Sequence, residues 1–393
     1  MHKLIKTLIV CCIPSFFPTS TWGQKLDLLR QKGMYQWNIK AANYSGITPI
    51  GNNTYAVVSD KEPLDGFYLF TIMQNNKTGE VEYIKADSLI GVTPVSTDTA
   101  NISKSDLEDV AYLPSTNTLF ICSEHQQSIE EYTLEGQKTG RSLNIPTLFQ
   151  KDNIYGNLGF EALTFDAHRN VFWTTTEATL KSDGQAATVS TLEAQNVLRL
   201  QSFDTNLQPQ KQYAYRMDRG KAKDGGRSYT IGVPAICALP DGRLFVLERE
   251  VRISPNYMSS HVECKLFEVN PATSIPITPD MTTSKIEENS FFLIRFQIIG
   301  IAITTASTTS FLQSKEKLIL LTLSIPKKTV KAIVIATDTI RPPRAGRILA
   351  TNVLTGGYFN RFLIHAATMR IMINDGNTTP TVARSAPRNP PCS

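Results

Sequence analysis

The chain is short of long apolar runs, cysteine, histidine and helical periodicity, and each shortage removes a class of protein. Beyond the first residues, no stretch approaches the ~20 apolar residues of a membrane helix. Past the N-terminal segment only Cys122, Cys237, Cys264 and Cys392 remain, with no C-x-x-C spacing to indicate a zinc site. One disulfide is open to them in an oxidising compartment, without an assignable pairing. The sequence contains no H-E-x-x-H, no P-loop and no G-x-S-x-G elbow, which sets aside zincin, nucleoside triphosphatase and elbow-type serine hydrolase chemistry. Basic residues do not interleave with aromatics, so no nucleic-acid partner is indicated. Residues 25–290 show no helix-period segment.

Acidic residues are missing from one region only. Residues 1–290 hold 27 Lys and Arg against 32 Asp and Glu, and residues 291–393 hold 13 against 3. The net charge of +5 therefore averages two different regions.

The N-terminus, residues 1–23, reads as a secretory leader. Lys3 and Lys6 precede the mostly apolar Leu8–Phe17, and small or polar residues follow to Gly23. Ile9 and Val10 stand before Cys11 where a lipoprotein leader would carry small residues. The expected location is secreted or periplasmic, with no membrane attachment after leader removal.

The rest, from residue 24 to about 290, is written in short alternating apolar runs, the pattern of half-buried strands. One unit recurs: an acid or small residue, a strand, a polar turn, a second strand and a closing acid. It appears as NYSGITPIGNNTYAVVSD (43–60), DLEDVAYLPSTNTLFICSE (106–124), GFEALTFDAHRNVFWTTTE (159–177) and GVPAICALPDGRLFVLERE (232–250). The closing acids Asp60, Glu124, Glu177 and Glu248 are spaced by 64, 53 and 71 residues. Short strands in repeating units predict an all-β fold, a β-propeller, with longer loops than the familiar ~40–50-residue repeats. A β-sandwich is the alternative architecture, but it gives no reason for the unit to recur.

In a propeller, acids at one point of each unit converge on a central funnel. Asp60, Glu124, Glu177 and Glu248 mark strand ends there, and Glu108 and Glu161 mark strand starts. Carboxylates so placed repel one another unless a cation sits among them. Calcium, which takes about 6–8 oxygen ligands in loose geometry, is the expected ion. The expected metal ligands are Asp60, Glu124, Glu177 and Glu248. A metal there could activate a bound water and bridge an anionic small-molecule substrate. Arg249, between Glu248 and Glu250, is placed to hold such an anion, and so are Arg219 and Arg227 of the basic loop 210–227. His125 adjoins Glu124 and is the only histidine beside a repeated acid.

These units resemble the phytase-like domain, the "esterase-like activity of phytase" family, over about residues 40–290. The match is carried by DLEDVAYLPSTNTLFICSE, GFEALTFDAHRNVFWTTTE and especially GVPAICALPDGRLFVLERE, with NYSGITPIGNNTYAVVSD as the opening segment. The resemblance implies a β-propeller, export from a bacterial cell and metal-dependent hydrolysis of phosphate esters. Water would be the nucleophile, activated by the metal or by one of Glu108, Glu161 and Glu177. A non-catalytic binding propeller and a lactonase-like hydrolase are the alternatives.

The family's later unit, with its further acidic entry and Ser-Asp strand end, is not found in residues 291–393. That segment is Ile/Thr/Ser-rich, then basic and Pro-rich. Three readings apply: a degenerate closing part, a basic appendage, or residues read from a shifted frame, the last being favoured. The propeller is accordingly expected to be incomplete at its C-terminal end.

Overall fold

The computed structural model describes residues 25–29, 32–40, 42–60, 62, 64–91, 106–256, 259–289, 292–293, 295–304, 316–325, 328–337 and 368–374. The expected leader lies outside them. The N-terminal part gives β1 (Lys25–Leu28), β2 (Lys32–Gly33) and a short 3-10 helix, Met34–Trp37.

Four antiparallel four-stranded sheets follow in chain order. The first holds β3 (Tyr44–Gly51), β4 (Thr54–Ser59), β5 (Gly66–Gln74) and β6 (Val81–Gly91). The second holds β7 (Leu107–Leu113), β8 (Thr118–Ser123), β9 (Ser128–Thr133) and β10 (Lys138–Ser142). The third holds β11 (Phe160–Asp166), β12 (Val171–Thr176), β13 (Val197–Asp204) and β14 (Pro209–Arg216). The fourth holds β15 (Ser228–Ala238), β16 (Leu244–Ile253), β17 (His261–Val269) and β18 (Arg295–Thr304). Each recurring unit in the sequence is the first hairpin of one sheet. Its turn sits where Asn52, Asn53, Asn117 and Asn170 adopt positive φ and Gly242 does the same at 81°, conformations that Asn and Gly tolerate best.

The sheets stack face to face as propeller blades, and the alternation within single strands shows it. On β4, Ala56 and Val58 face Val110 and Ile121 of the second sheet, whereas Tyr55 and Val57 pack with Tyr68, Met34 and Ile39. On β8, Phe120 and Cys122 face Phe172 and Leu163 of the third sheet. On β12, Trp173 turns the other way, toward Ile231 and Val246 of the fourth. Blades buried on both faces need apolar residues at every position, which is why the strand patterns are blurred rather than strictly alternating. Full burial of a ring such as Phe120 or Phe172 stabilises the stack by about 1.5–3 kcal/mol.

The first strands of the sheets are neighbours in sequence order: β3 beside β7, β7 beside β11, and β11 beside β15. A fifth sheet joins both ends of the chain. It consists of β19 (Glu316–Ile325), β20 (Lys328–Thr337) and β21 (Thr368–Asn374), with β1 and β2 paired to β19. Its strand β21 lies beside both β15 and β3, in the position that closes the ring.

The region past the expected boundary at 290 also contributes to the fourth sheet. Leu293 is buried in the core between the third and fourth sheets, and β18 pairs with β17. One expectation is corrected: residues 25–290 contain the seven-residue helix α1 (Thr283–Asn289), too short for a periodic pattern to stand out. Cys122, Cys237 and Cys264 are buried.

Candidate functional site

The site begins with an irregularity shared by the four inner hairpins. In the second sheet Leu107 pairs with Ser123 and Asp109 with Cys122, so Glu108 is the extra residue of its strand. In the third sheet Phe160 pairs with Thr176 and Ala162 with Thr175, which leaves Glu161 as the extra residue. The first and fourth sheets carry the same one-residue surplus, at Ser45–Gly46 and at Val233–Pro234. Such β-bulges re-aim a side chain out of the regular alternation. Here they turn Glu108 and Glu161 toward the strand ends that carry the closing acids.

The closing acids are fixed by their own backbone. The N–H of Asp60 donates to the Asn43 carbonyl at 3.0 Å, that of Glu124 to Asp106 at 2.9 Å, and that of Glu177 to Gly159 at 2.7 Å. Carboxylate oxygens of Glu108, Glu124 and Glu161 all lie within 4.8 Å of one another, and all three residues are buried. A second group within the same distance joins Asp60, Asp106 and Glu108. Glu108 belongs to both.

Neutral donors surround the acids. Glu108 accepts from the Ser45 hydroxyl. Glu124 accepts from the Gly159 N–H at 3.0 Å and from the Asn157 side-chain amide, which also reaches Asp106 at 3.4 Å. Gly159 leaves room there: a Cβ would meet the Gln127 amide, whose nitrogen donates to the Glu124 carbonyl at 2.6 Å. Burial, followed by repulsion from Glu161, Glu108, Glu177 and Asp106, holds the Glu124 carboxyl well above the ordinary range.

Glu177 is fully buried and is paired with Arg249 at 2.7 Å. The contact is possible because Gly232, the register partner of Arg249, leaves room for the Glu177 side chain. This arginine is the cation that the fourth sheet brings to the acids.

Glu248 is placed elsewhere. It sits opposite the fourth bulge, and its carboxylate accepts from the Tyr215 hydroxyl at 2.8 Å, the Asp218 N–H at 3.1 Å and Arg295 at 2.9 Å. Burial pushes its pKa up to about 7 against the opposing pull of Arg295. The reason for the different placement is that β16 continues to Ile253. By register, Glu250 is the counterpart of the other closing acids, and it accepts from the N–H groups of Lys221 and Ala222 and from Tyr229.

The basic loop does not bring Arg219 to the acid group. Arg219 is exposed and donates to the Glu193 carbonyl, and Arg227 is also exposed. His125 is half-buried beside Glu124.

Asp106, Asn157 and Ser45 were not singled out from the sequence. Asp106 could have been, since a polar residue directly before a strand, at positive φ, is a position that Asp tolerates. Ser45 and Asn157 carry no such signal, because only the bulge and the neighbouring blade bring them to the acids.

The donor set is hard oxygen: both acid groups contain only Asp and Glu, with no His or Cys. It fits a calcium-like cation and does not fit zinc or copper. Glu108, Glu124 and Glu161 in one group, or Asp60, Asp106 and Glu108 in the other, are the residues that would hold such an ion. Among the described residues no helix is long and apolar enough to cross a membrane.

Fold and site together define an all-β propeller with an acid-lined centre. The chain belongs to the Phytase-like family, "Esterase-like activity of phytase", which it matches over residues 39–289. No curated protein matches it. Among solved structures it is similar to the hydrazine synthase of Kuenenia stuttgartiensis, at 8% identity and a TM-score of 0.32, covering 76% of this chain and 64% of that one. A member of the duf4221 family from Bacteroides vulgatus shows 8% identity and a TM-score of 0.29 over 76% of this chain and 93% of that one. The Cps50 (Swd1) β-propeller domain of Myceliophteria thermophila shows 8% identity and a TM-score of 0.23 over 78% and 85%. Likenesses this distant decide nothing about the chemistry.

Proposed function

We propose that this chain is an exported phytase-like hydrolase that uses a calcium ion held by its central acids to hydrolyse a phosphate ester. The observation that carries the reading is the convergence of Glu108, Glu124 and Glu161, buried, with their oxygens within 4.8 Å. Three carboxylates that close and that dry cannot all be ionised without a counter-charge. When bound, calcium would neutralise them, polarise the phosphoryl oxygen and acidify a water.

The chain's own groups divide the remaining work. Glu161 and Glu108, aimed by their bulges, are the candidates to take a proton from the attacking water. Asn157, Ser45 and the Gly159 N–H hold the carboxylates in place. Arg249 is ion-paired with Glu177 and is a cation available to an anionic substrate, which would share it with Glu177.

A non-catalytic binding propeller is the second reading. It is favoured by one feature, that Arg249 is engaged by Glu177 and Arg219 by a backbone carbonyl. Release of inorganic phosphate from a panel of monoesters and diesters, with calcium or with a calcium chelator, tests the reading. Calcium-dependent release, lost in Glu161→Gln, is expected. Lactone opening without phosphate release would replace the substrate class. Calcium binding with neither reaction would establish the second reading.

A further inference from the structure

A second cleft among the described residues lies away from the acids. It has a volume of about 790 Å³ and lies between the turn at 36–40 and the outer strand of the first sheet. That volume falls within the range of small-molecule sites, roughly 300–1,000 Å³.

Its lining is aromatic and rigid. Trp37 is half-buried, with its body packed on the core around Met34 and Ile39. Tyr68 stands edge-on to Tyr44, with ring centres 5.6 Å apart. Their hydroxyls are already fixed, Tyr68 donating to Glu62 at 2.7 Å and Tyr44 to the Lys40 carbonyl at 2.9 Å. Tyr83, on the outer strand, is 44% exposed.

The charges of the lining cancel. Lys40 and Lys85 face Glu62 and Asp87, and Lys85 is paired with Asp87 at 2.8 Å. A charged ligand would find no net attraction. Flat aromatic faces with planar polar side chains beside them, among them Gln36 and Asn38, suit a ligand with C–H faces and a hydroxyl rim.

We propose that this cleft binds a neutral saccharide, stacked on Trp37 and Tyr83. The inference is independent of the hydrolytic reading, since none of these residues belongs to the acid group. Preformed walls make the cost of ordering on binding small.

Trp37 supplies the readout. Of the chain's three tryptophans, Trp22 lies in the expected leader and Trp173 is 2% exposed in the core. Glucose, N-acetylglucosamine, maltotriose and cellotetraose are titrated to about 10 mM on the full mature chain, with glucose 6-phosphate and a galacturonate trimer as charged controls. The expected result is a saturable change in Trp fluorescence with at least one neutral sugar. Trp37→Ala should abolish the change and Tyr83→Ala should weaken binding by about tenfold by calorimetry, with calcium binding unaltered in both. Tyr83 is exposed enough to be replaced without unfolding the chain, so it keeps the test open should Trp37→Ala not fold. The proposal is overturned if no neutral sugar binds, if the charged controls bind more tightly, or if Tyr83→Ala binds like the parent chain.

Discussion

At the residue scale the site depends on small side chains as much as on acids. A Cβ at position 159 would land 1.7 Å from the Gln127 side-chain nitrogen. Gly159→Ala should therefore displace that amide from the Glu124 carbonyl and cost about 1–3 kcal/mol, measured by chemical denaturation. Adding Gln127→Ala should recover part of the loss. Glu161→Gln should act with opposite signs in two states. Without calcium it removes a charge that repels buried Glu124, so thermal stability should rise. With calcium it removes a ligand, so affinity should fall about tenfold or more by calorimetry, and the thermal shift on adding calcium should shrink.

At the element scale, an arginine from β18 ties the fourth sheet to the loop that follows β14. Arg295 pairs with Glu248 at 2.9 Å and with Asp218, and lies over the Phe267 ring at 4.2 Å. The Glu248 carboxyl titrates near about 7 in the folded chain, above its ordinary 4.5. A raised acid binds its proton more tightly when folded, so its contribution is fully present below about pH 4.5 and is lost as pH rises through 7. Stability should fall between pH 5 and pH 8, by up to about 3 kcal/mol from this group. Arg295→Ala should steepen that fall, because it strands a buried carboxylate. Its cost should be about 1 kcal/mol at pH 5 and about 3–5 kcal/mol at pH 8, read from denaturation midpoints at each pH.

The hairpins themselves were legible in the sequence. The units 106–124 and 159–177 hold the hairpins β7–β8, Leu107–Leu113 with Thr118–Ser123, and β11–β12, Phe160–Asp166 with Val171–Thr176. The bulges were not legible, since a one-residue surplus is defined by the partner strand and leaves no trace in one strand's own pattern. The fourth closing acid is a different case: Glu250 ends its unit where Glu124 and Glu177 end theirs, and pairing with β15 puts Glu250, not Glu248, at that register.

At the scale of the whole molecule, the fifth sheet is what closes the ring. β21 stands between β15 and β3, and β1 pairs with β19, so the fifth sheet ties the two ends of the chain together. Deleting residues 305–393 should expose the inner edges of the first and fourth sheets and leave a chain that aggregates and unfolds at lower temperature than the full one. Light scattering and thermal unfolding of the two chains side by side check this. The shifted-frame reading of the tail makes the opposite prediction, that the deletion costs nothing. A further acid-bearing strand unit in another frame of the downstream DNA would support that reading, and its absence would remove it.

The sequence alone determined the strands, the turns that join them and the recurring acids, because these follow from local alternation and from residues such as Asn and Gly that tolerate tight turns. It also determined the family, since those units carry the match. Tertiary structure decided which acids meet. Glu108, Glu124 and Glu161 come together because bulges on two blades and the end of a strand point to one place. Glu177 finds Arg249 because Gly232 leaves the space, and Glu248 turns to Arg295 because β16 runs on. Convergence between blades is set by register and stacking, and neither is a property of any single stretch of chain.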